Sequence, residues 1–180
     1  MRWMLGLILV GLAVSGEARA DKIVWQSIAM ACVPTSDTVD ASNYLTTAGG
    51  VRHHAGETGL ISFICAFDEA RELSLRKSYR LRAHIKSVRN YPVPTQYMKA
   101  ELRGRRHRDA HTFTILETVN HNGFTQNPAP QWMLWSDDEI IGWSDEITYY
   151  VQLTIRRDEA RFAEGVEQIP AFFAVELIQN

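Results

Sequence analysis

Residues 79–86, YRLRAHIK, alternate apolar with basic side chains, and residues 149–156, YYVQLTIR, place Tyr149, Val151, Leu153 and Ile155 between more polar neighbours. A period of two is the period of an extended strand, so each stretch predicts one face on a core and one in water. Beyond residue 20 no long apolar stripe recurs at helical spacing. Further strand candidates are 23–33, 50–54, 60–67, 97–105, 112–120, 130–135 and 171–178, separated by Gly, Pro, Asn and Asp clusters. Eight or nine short strands with turn signals between them predict an all-β fold, an antiparallel β-sandwich of jelly-roll or Ig-like kind.

Two stretches interrupt the pattern. In WSDDEIIGWSDEI, residues 135–147, Ser136 and Glu139 have the spacing of a capping box and Gly142 is a plausible stop, which predicts a turn or two of helix. Residues 158–170 read as a loop before the last strand. RGRRHRDAH, residues 103–111, is flanked by alternating stretches, so it reads as the tip of a β-hairpin with Asp109 and Ala110 near the turn.

The first twenty residues carry Arg2, an apolar run from Met4 to Val14 and the small-residue end Ala18-Arg19-Ala20. This predicts a secretory signal over 1–20, cleaved before Asp21, with a single domain over 21–180. An apolar run of 11 residues is short of the roughly 20 that span a bilayer, so no transmembrane segment is expected after cleavage. Without Arg2, Arg19 and Glu17 the chain keeps 17 basic and 20 acidic residues, a net charge of about −3, which argues against nucleic acid as a partner. Cys32 and Cys65 are the two cysteines. An even count in an oxidising compartment favours one disulfide over two buried thiols.

ACVPTSDTV at 31–39 and TTAGGVRHHAGETGLISFIC at 46–65 carry a frame: Ala-Cys-Val-Pro, Tyr44, Ala48-Gly49, then Gly56-x-x-Gly59 and a strand ending in Cys65. In this frame, and in YYVQLTI at 149–155 and PAFFAVEL at 170–177, the chain resembles a group of small uncharacterised exported bacterial β-sandwich proteins. Many of that group follow the second cysteine with Pro, where this chain has Ala66. The resemblance implies a disulfide-pinned sandwich and carries over no catalytic residue.

The chemistry-bearing residues fall into four groups. His53 and His54 are adjacent, so in a strand they face opposite ways; His107 and His111 flank the hairpin tip; His84 and His121 sit on separate strands. With no His-x-His, HExxH or paired CxxC spacing, these histidines read as exposed strand-end residues and no metal site is expected. No nucleophile elbow or phosphate loop occurs, and the carboxylates Asp137, Asp138, Glu139, Asp145 and Glu146 read as cap and loop residues, so no catalytic residue and no cofactor is expected. Trp132, Trp135 and Trp143, beside Phe124 and Asn127, form either a stacking platform for sugar rings or part of the core. Arg80, Arg82 and Lys86 line one strand face and Arg103, Arg105, Arg106 and Arg108 crowd the next hairpin; if those strands are neighbours they make one positive surface. Edge charge that blocks aggregation is the ordinary alternative.

These readings converge on an exported, periplasmic or secreted, non-catalytic binding or structural module of the cell envelope. Its expected partners are acidic polysaccharide, envelope glycan or another envelope protein. A carbohydrate-binding module built on the tryptophans is the first alternative, and a hydrolase or metal-binding protein the second.

Overall fold

In a computed structural model of the chain, the described residues are 21–36, 38, 44–47, 50–67, 76–86, 97–121, 133–158, 161–163 and 166–180. The expected leader at 1–20, together with Phe124, Asn127 and Trp132, lies outside them.

Fourteen strands and a single 3-10 turn make up the regular structure of the described residues. In chain order they are β1 (Lys22–Ile28), the turn Ala29–Ala31, β2 (Val33–Pro34), β3 (Tyr44–Thr47), β4 (Gly50–His53), β5 (Gly59–Ala66) and β6 (Lys77–Lys86). They continue with β7 (Tyr97–Arg106), β8 (Thr112–His121), β9 (Met133–Trp135), β10 (Glu139–Ile141), β11 (Ile147–Arg157), β12 (Arg161–Ala163), β13 (Val166–Gln168) and β14 (Ala171–Gln179). All pairings are antiparallel. One sheet runs β10-β6-β14-β4-β3, with β1 also on β14 and β9 also on β6; the other runs β2-β5-β11-β7-β8; β12 and β13 form a separate ribbon.

The two alternating stretches supply the facing halves of the core. Tyr79, Leu81, Ala83 and Ile85 of β6 are fully buried, as are Val175 and Leu177 beside them on β14. Across the interior, Val151, Leu153 and Ile155 of β11 and Met98, Ala100 and Leu102 of β7 are equally closed to solvent. Each large aliphatic side chain moved from water into this layer stabilises the fold by about 1.5–3 kcal/mol, which is why the alternation fixes the register so firmly.

Three expectations change on contact with the structure. The stretch 23–33 is two strands: the 3-10 turn at Ala29–Ala31 lets the chain leave one sheet, where β1 pairs with β14, and enter the other, where β2 pairs with β5. The turn seats Ala29 in the core, fully closed to solvent. Cys32 follows that turn and is disulfide-bonded to Cys65 on β5, so the bridge locks the crossover. The helix expected from the Ser136–Glu139 box is strand β10 instead. Ser136 Oγ accepts a hydrogen bond from the Leu81 N–H at 2.8 Å while the Ser136 N–H donates to the Leu81 carbonyl at 2.9 Å. The serine is spent extending the β6 ladder between β9 and β10, so it does not cap. The loop expected over 158–170 contains the β12–β13 ribbon.

The hairpin tip forms where expected. Arg106 N–H donates to the His111 carbonyl, the Asp109 side chain accepts from the His111 N–H at 3.0 Å, and Ala110 takes a positive φ of 54°. Gly104 is required just below it: a Cβ there would lie 2.7 Å from Phe113 Cζ and 3.0 Å from Ile147 Cγ2.

Candidate functional site

Because Tyr79, Leu81, Ala83 and Ile85 point inward, Arg80, Arg82 and His84 must point out from the same strand. Register sets their neighbours. On one side β9 puts Trp135 opposite Arg82 and Met133 opposite His84; on the other β14 puts Glu176 opposite Arg82 and Ala174 opposite His84. Leu134 turns inward, which leaves Trp135 and Met133 on the outer face, 41% and 46% exposed.

The guanidinium carbons of Arg80 and Arg82 lie 4.5 and 4.9 Å from the Trp135 ring centroid, close enough for cation–π attraction. Arg82 is ion-paired with Glu176 and Arg80 with Asp21. His84 Nε2 lies 3.2 Å from Glu176 Oε2, so that one carboxylate faces two basic side chains. A cleft of about 540 Å³ around His84 is lined by His84, Ile85, Met133, Phe173, Ala174 and Glu176. An exposed aromatic side chain flanked by two guanidiniums can stack on a ring and hydrogen-bond an acidic substituent.

Trp143 does not belong to this face. Its ring stacks on Phe67 at 5.6 Å and meets Tyr79 and Tyr149 edge-on at 5.4 and 4.7 Å, closing one end of the core. Tyr149 Oη accepts from the Ser144 N–H at 2.9 Å; burial raises its pKa, with Ser144 opposing and the Asp145 charge adding to the rise.

The arginines divide between the two sheets. Arg80 and Arg82 stand on β6, whereas Arg103, Arg105 and Arg106 stand on β7 and Arg108 in the turn beyond it, so the single positive surface expected from neighbouring strands does not form. Arg103 is held by the Gln152 side-chain oxygen at 2.5 Å, and Arg106 lies 5.6 Å over Phe113. Arg105, Arg106 and Arg108 are exposed. His107 is turned toward β11: its N–H donates to the Glu146 carbonyl and its ring Nε2 lies 2.9 Å from Thr148 Oγ1. A smaller cleft of about 370 Å³ lies between Arg105, Arg106, His107, Ala110 and Thr148.

Among the described residues no group of three or more His, Cys, Asp or Glu side chains is placed to hold a metal ion. Asp137, Asp138 and Glu139 are exposed, and Asp138 accepts from the Asn180 side chain at 2.6 Å. His53 overturns the reading of the histidines as exposed strand ends: it is fully buried, and neither ring nitrogen has a partner of full hydrogen-bond geometry. Burial first, and the Arg157 charge second, lower its pKa to about 4, with the Gly59 backbone offsetting part of the shift.

Arg157 is itself 1% exposed, ion-paired with Glu167 and donating to the Glu57 carbonyl at 2.9 Å. Glu167 also accepts the Gly56 N–H at 2.8 and 3.0 Å. Burial pushes the Glu167 carboxyl up, but its bonds to Arg157 and Gly56 and the charges of Arg157 and Arg52 outweigh that and hold it below the ordinary carboxylate value. Simple extension of the Tyr149-Val151-Leu153-Ile155 alternation by one step would have marked Arg157 as inward-facing.

Among the described residues no helix is long and apolar enough to cross a membrane. No family model matches the chain and no curated protein matches it. A solved structure titled "Structure of Eiger TNF from S. frugiperda" aligns over 87% of this chain and 84% of that one, with 11% identity and a TM-score of 0.30. Overlap that loose assigns neither a family nor an activity.

Proposed function

We propose that this chain is an exported, non-catalytic binding module that takes an acidic saccharide of the cell envelope on the outer face around Trp135. Supporting export are the leader-like composition of residues 1–20 and a cystine, which persists in oxidising compartments and is rare in reducing ones. The resemblance of the two-cysteine frame to small exported bacterial sandwich proteins points the same way.

The observation that carries the ligand class is the exposed Trp135 ring with two guanidiniums within 5 Å of its centroid. A tryptophan face packs against the C–H side of a sugar ring, and a guanidinium matches a carboxylate or sulfate in a two-point fork. Arg80 and Arg82 are pre-ordered by Asp21 and Glu176, so little side-chain entropy is lost on binding. The hairpin-tip arginines lack an exposed indole among them and act chiefly as solvated charge that keeps a sheet end from pairing.

Titration with oligogalacturonate, an uncharged oligosaccharide and polyglutamate separates the contributions. Oligogalacturonate is expected to bind most tightly, to weaken as salt rises, and to lose at least about tenfold in affinity in Trp135→Ala, the loss of a stacked ring being worth more than about 1.4 kcal/mol. Binding that survives Trp135→Ala unchanged, or that polyglutamate matches, overturns the assignment.

A further inference from the structure

We infer that the β7–β8 hairpin tip carries a second binding site, a cleft that takes the dianion of a phosphomonoester, separate from the face around Trp135. Keeping a sheet end from pairing asks only for exposed charge; it accounts for neither the cleft nor the fixed ring of His107. The cleft, of about 370 Å³, is lined by Arg105, Arg106, His107, Ala110 and Thr148, so three of its five residues are Arg or His and none is acidic.

The charge there is unmatched. Four other arginines have an acid beside them: Arg80 has Asp21, Arg82 has Glu176, Arg156 has Asp158 and Arg157 has Glu167. Among the described residues no carboxylate lies within ion-pair reach of Arg105, Arg106 or Arg108. Asp109, the acid of the turn, is occupied by the His111 N–H. A local excess of positive charge thus stands on a chain whose net charge is −2.

The site is also ordered before any ligand arrives. Met98, Ala100, Leu102 and Gly104 of β7 turn inward, so Arg105 stands on the outer face, and register places Thr148 of β11 beside it. His107 follows at the end of the strand, tied through its N–H to the Glu146 carbonyl and through ring Nε2 to Thr148 Oγ1, each at 2.9 Å. Whichever of the two holds the shared hydrogen, the His107–Thr148 pair keeps one polar hydrogen that their contact does not use. Arg106 is steadied over the Phe113 ring, and Ala110, at φ of 54°, lines the cleft where the chain returns.

A phosphomonoester brings nearly two negative charges and three acceptor oxygens at neutral pH. A guanidinium forks two of those oxygens, which leaves the third for the His107–Thr148 pair. A carboxylate, with one charge and two oxygens, satisfies Arg105 alone, so an acidic saccharide gains little here. Small-ligand sites run from about 300 to 1,000 Å³; the cleft has room for the alcohol half of an ester beside its phosphate.

Titration of the full, isotope-labelled chain with glycerol 3-phosphate, inorganic phosphate and glycerol tests the site. With glycerol 3-phosphate the Arg105 side chain and the Ala110 and Thr148 amides are expected to shift together and the Trp135 indole N–H to stay in place. Inorganic phosphate is expected to bind more weakly and glycerol not at all. Arg105→Ala is expected to weaken glycerol 3-phosphate at least about tenfold, as a forked charged contact is lost. Arg108→Ala is expected to cost less than about threefold, since an exposed charge that does not line the cleft is largely screened. Equal losses in the two variants would reduce the tip to diffuse charge. That result, inorganic phosphate binding as tightly as the ester, or glycerol 3-phosphate leaving the tip unshifted would each overturn the site.

Discussion

His53 is folded in its neutral form, and the energetic consequence has a definite sign. Its folded pKa of about 4 lies below the 6.5 it has in the unfolded chain, so as pH falls the unfolded state takes the proton first. The stability that His53 contributes is complete above about pH 6.5 and is lost progressively down to about pH 4. A shift of that size corresponds to about 3 kcal/mol. Denaturant melts at pH 7 and pH 4.5 are expected to show a fall of that order, and a smaller one in His53→Gln; equal falls would place the acid sensitivity elsewhere. Arg157 and His53 were both within reach of the sequence, since each continues an inward-facing alternation: Arg157 after Ile155, His53 after Val51. What hid them is that a charged or titratable side chain ordinarily marks the wet face; Arg157 lies inside because Glu167, from a distant strand, and the Glu57 carbonyl pair with it, and His53 lies inside in its neutral form. Trp143 was ambiguous for a related reason. A tryptophan serves equally as core or as platform, and the choice was settled by Phe67, Tyr79 and Tyr149, which come from three other places in the chain.

At the scale of elements, β6 and β11 were legible because each shows its period over eight residues or more, and β7, β8 and β14 because each is a run of nine or ten residues bounded by turn signals. The short ones were not: β3, β10, β12 and β13 have three or four residues each, too few for a period to declare itself. Ser136 shows how a local signal loses to a tertiary one. Its spacing from Glu139 suits a helix cap, yet the unpaired Leu81 N–H and carbonyl at the break between β9 and β10 offer it two hydrogen bonds within the sheet. Ser136→Ala removes the acceptor for the Leu81 N–H and is expected to cost about 1–3 kcal/mol, the penalty for an unsatisfied donor. Measured by chemical denaturation, a change under a few tenths of a kcal/mol would show that the serine is incidental to the ladder. The sheet assignment of β6 and β7 was beyond local reasoning. Adjacent in sequence and both alternating, they lie in opposite layers, and that separates Arg80 and Arg82 from the tip arginines.

Over the whole molecule, the fold is a two-layer sandwich whose chain changes layer at Ala29–Ala31, and the Cys32–Cys65 bridge fixes that change. The bridge closes a separation of 33 residues and is expected to stabilise the fold by about 3–4 kcal/mol through the lost freedom of the unfolded chain. Cys32→Ala with Cys65→Ala is expected to lower the melting temperature in proportion, with β1 freed first because its tie to β5 is gone; an unchanged melting temperature would mean that the β1–β14 and β2–β5 pairings suffice alone. All-β class and the pairing of two cysteines followed from composition and period. The binding face did not, because it is assembled from β6, β9 and β14, and no stretch of sequence says that Trp135 will lie against Arg80 and Arg82.

That assembly is where the account is most exposed to refutation. In an isotope-labelled sample titrated with oligogalacturonate, the Trp135 indole N–H and the side chains of Arg80, Arg82 and His84 are expected to shift together and saturate with one dissociation constant, while Trp143 and the Arg105–Arg108 tip stay in place. Shifts concentrated at the tip, or none at Trp135 while the oligosaccharide binds, would contradict it.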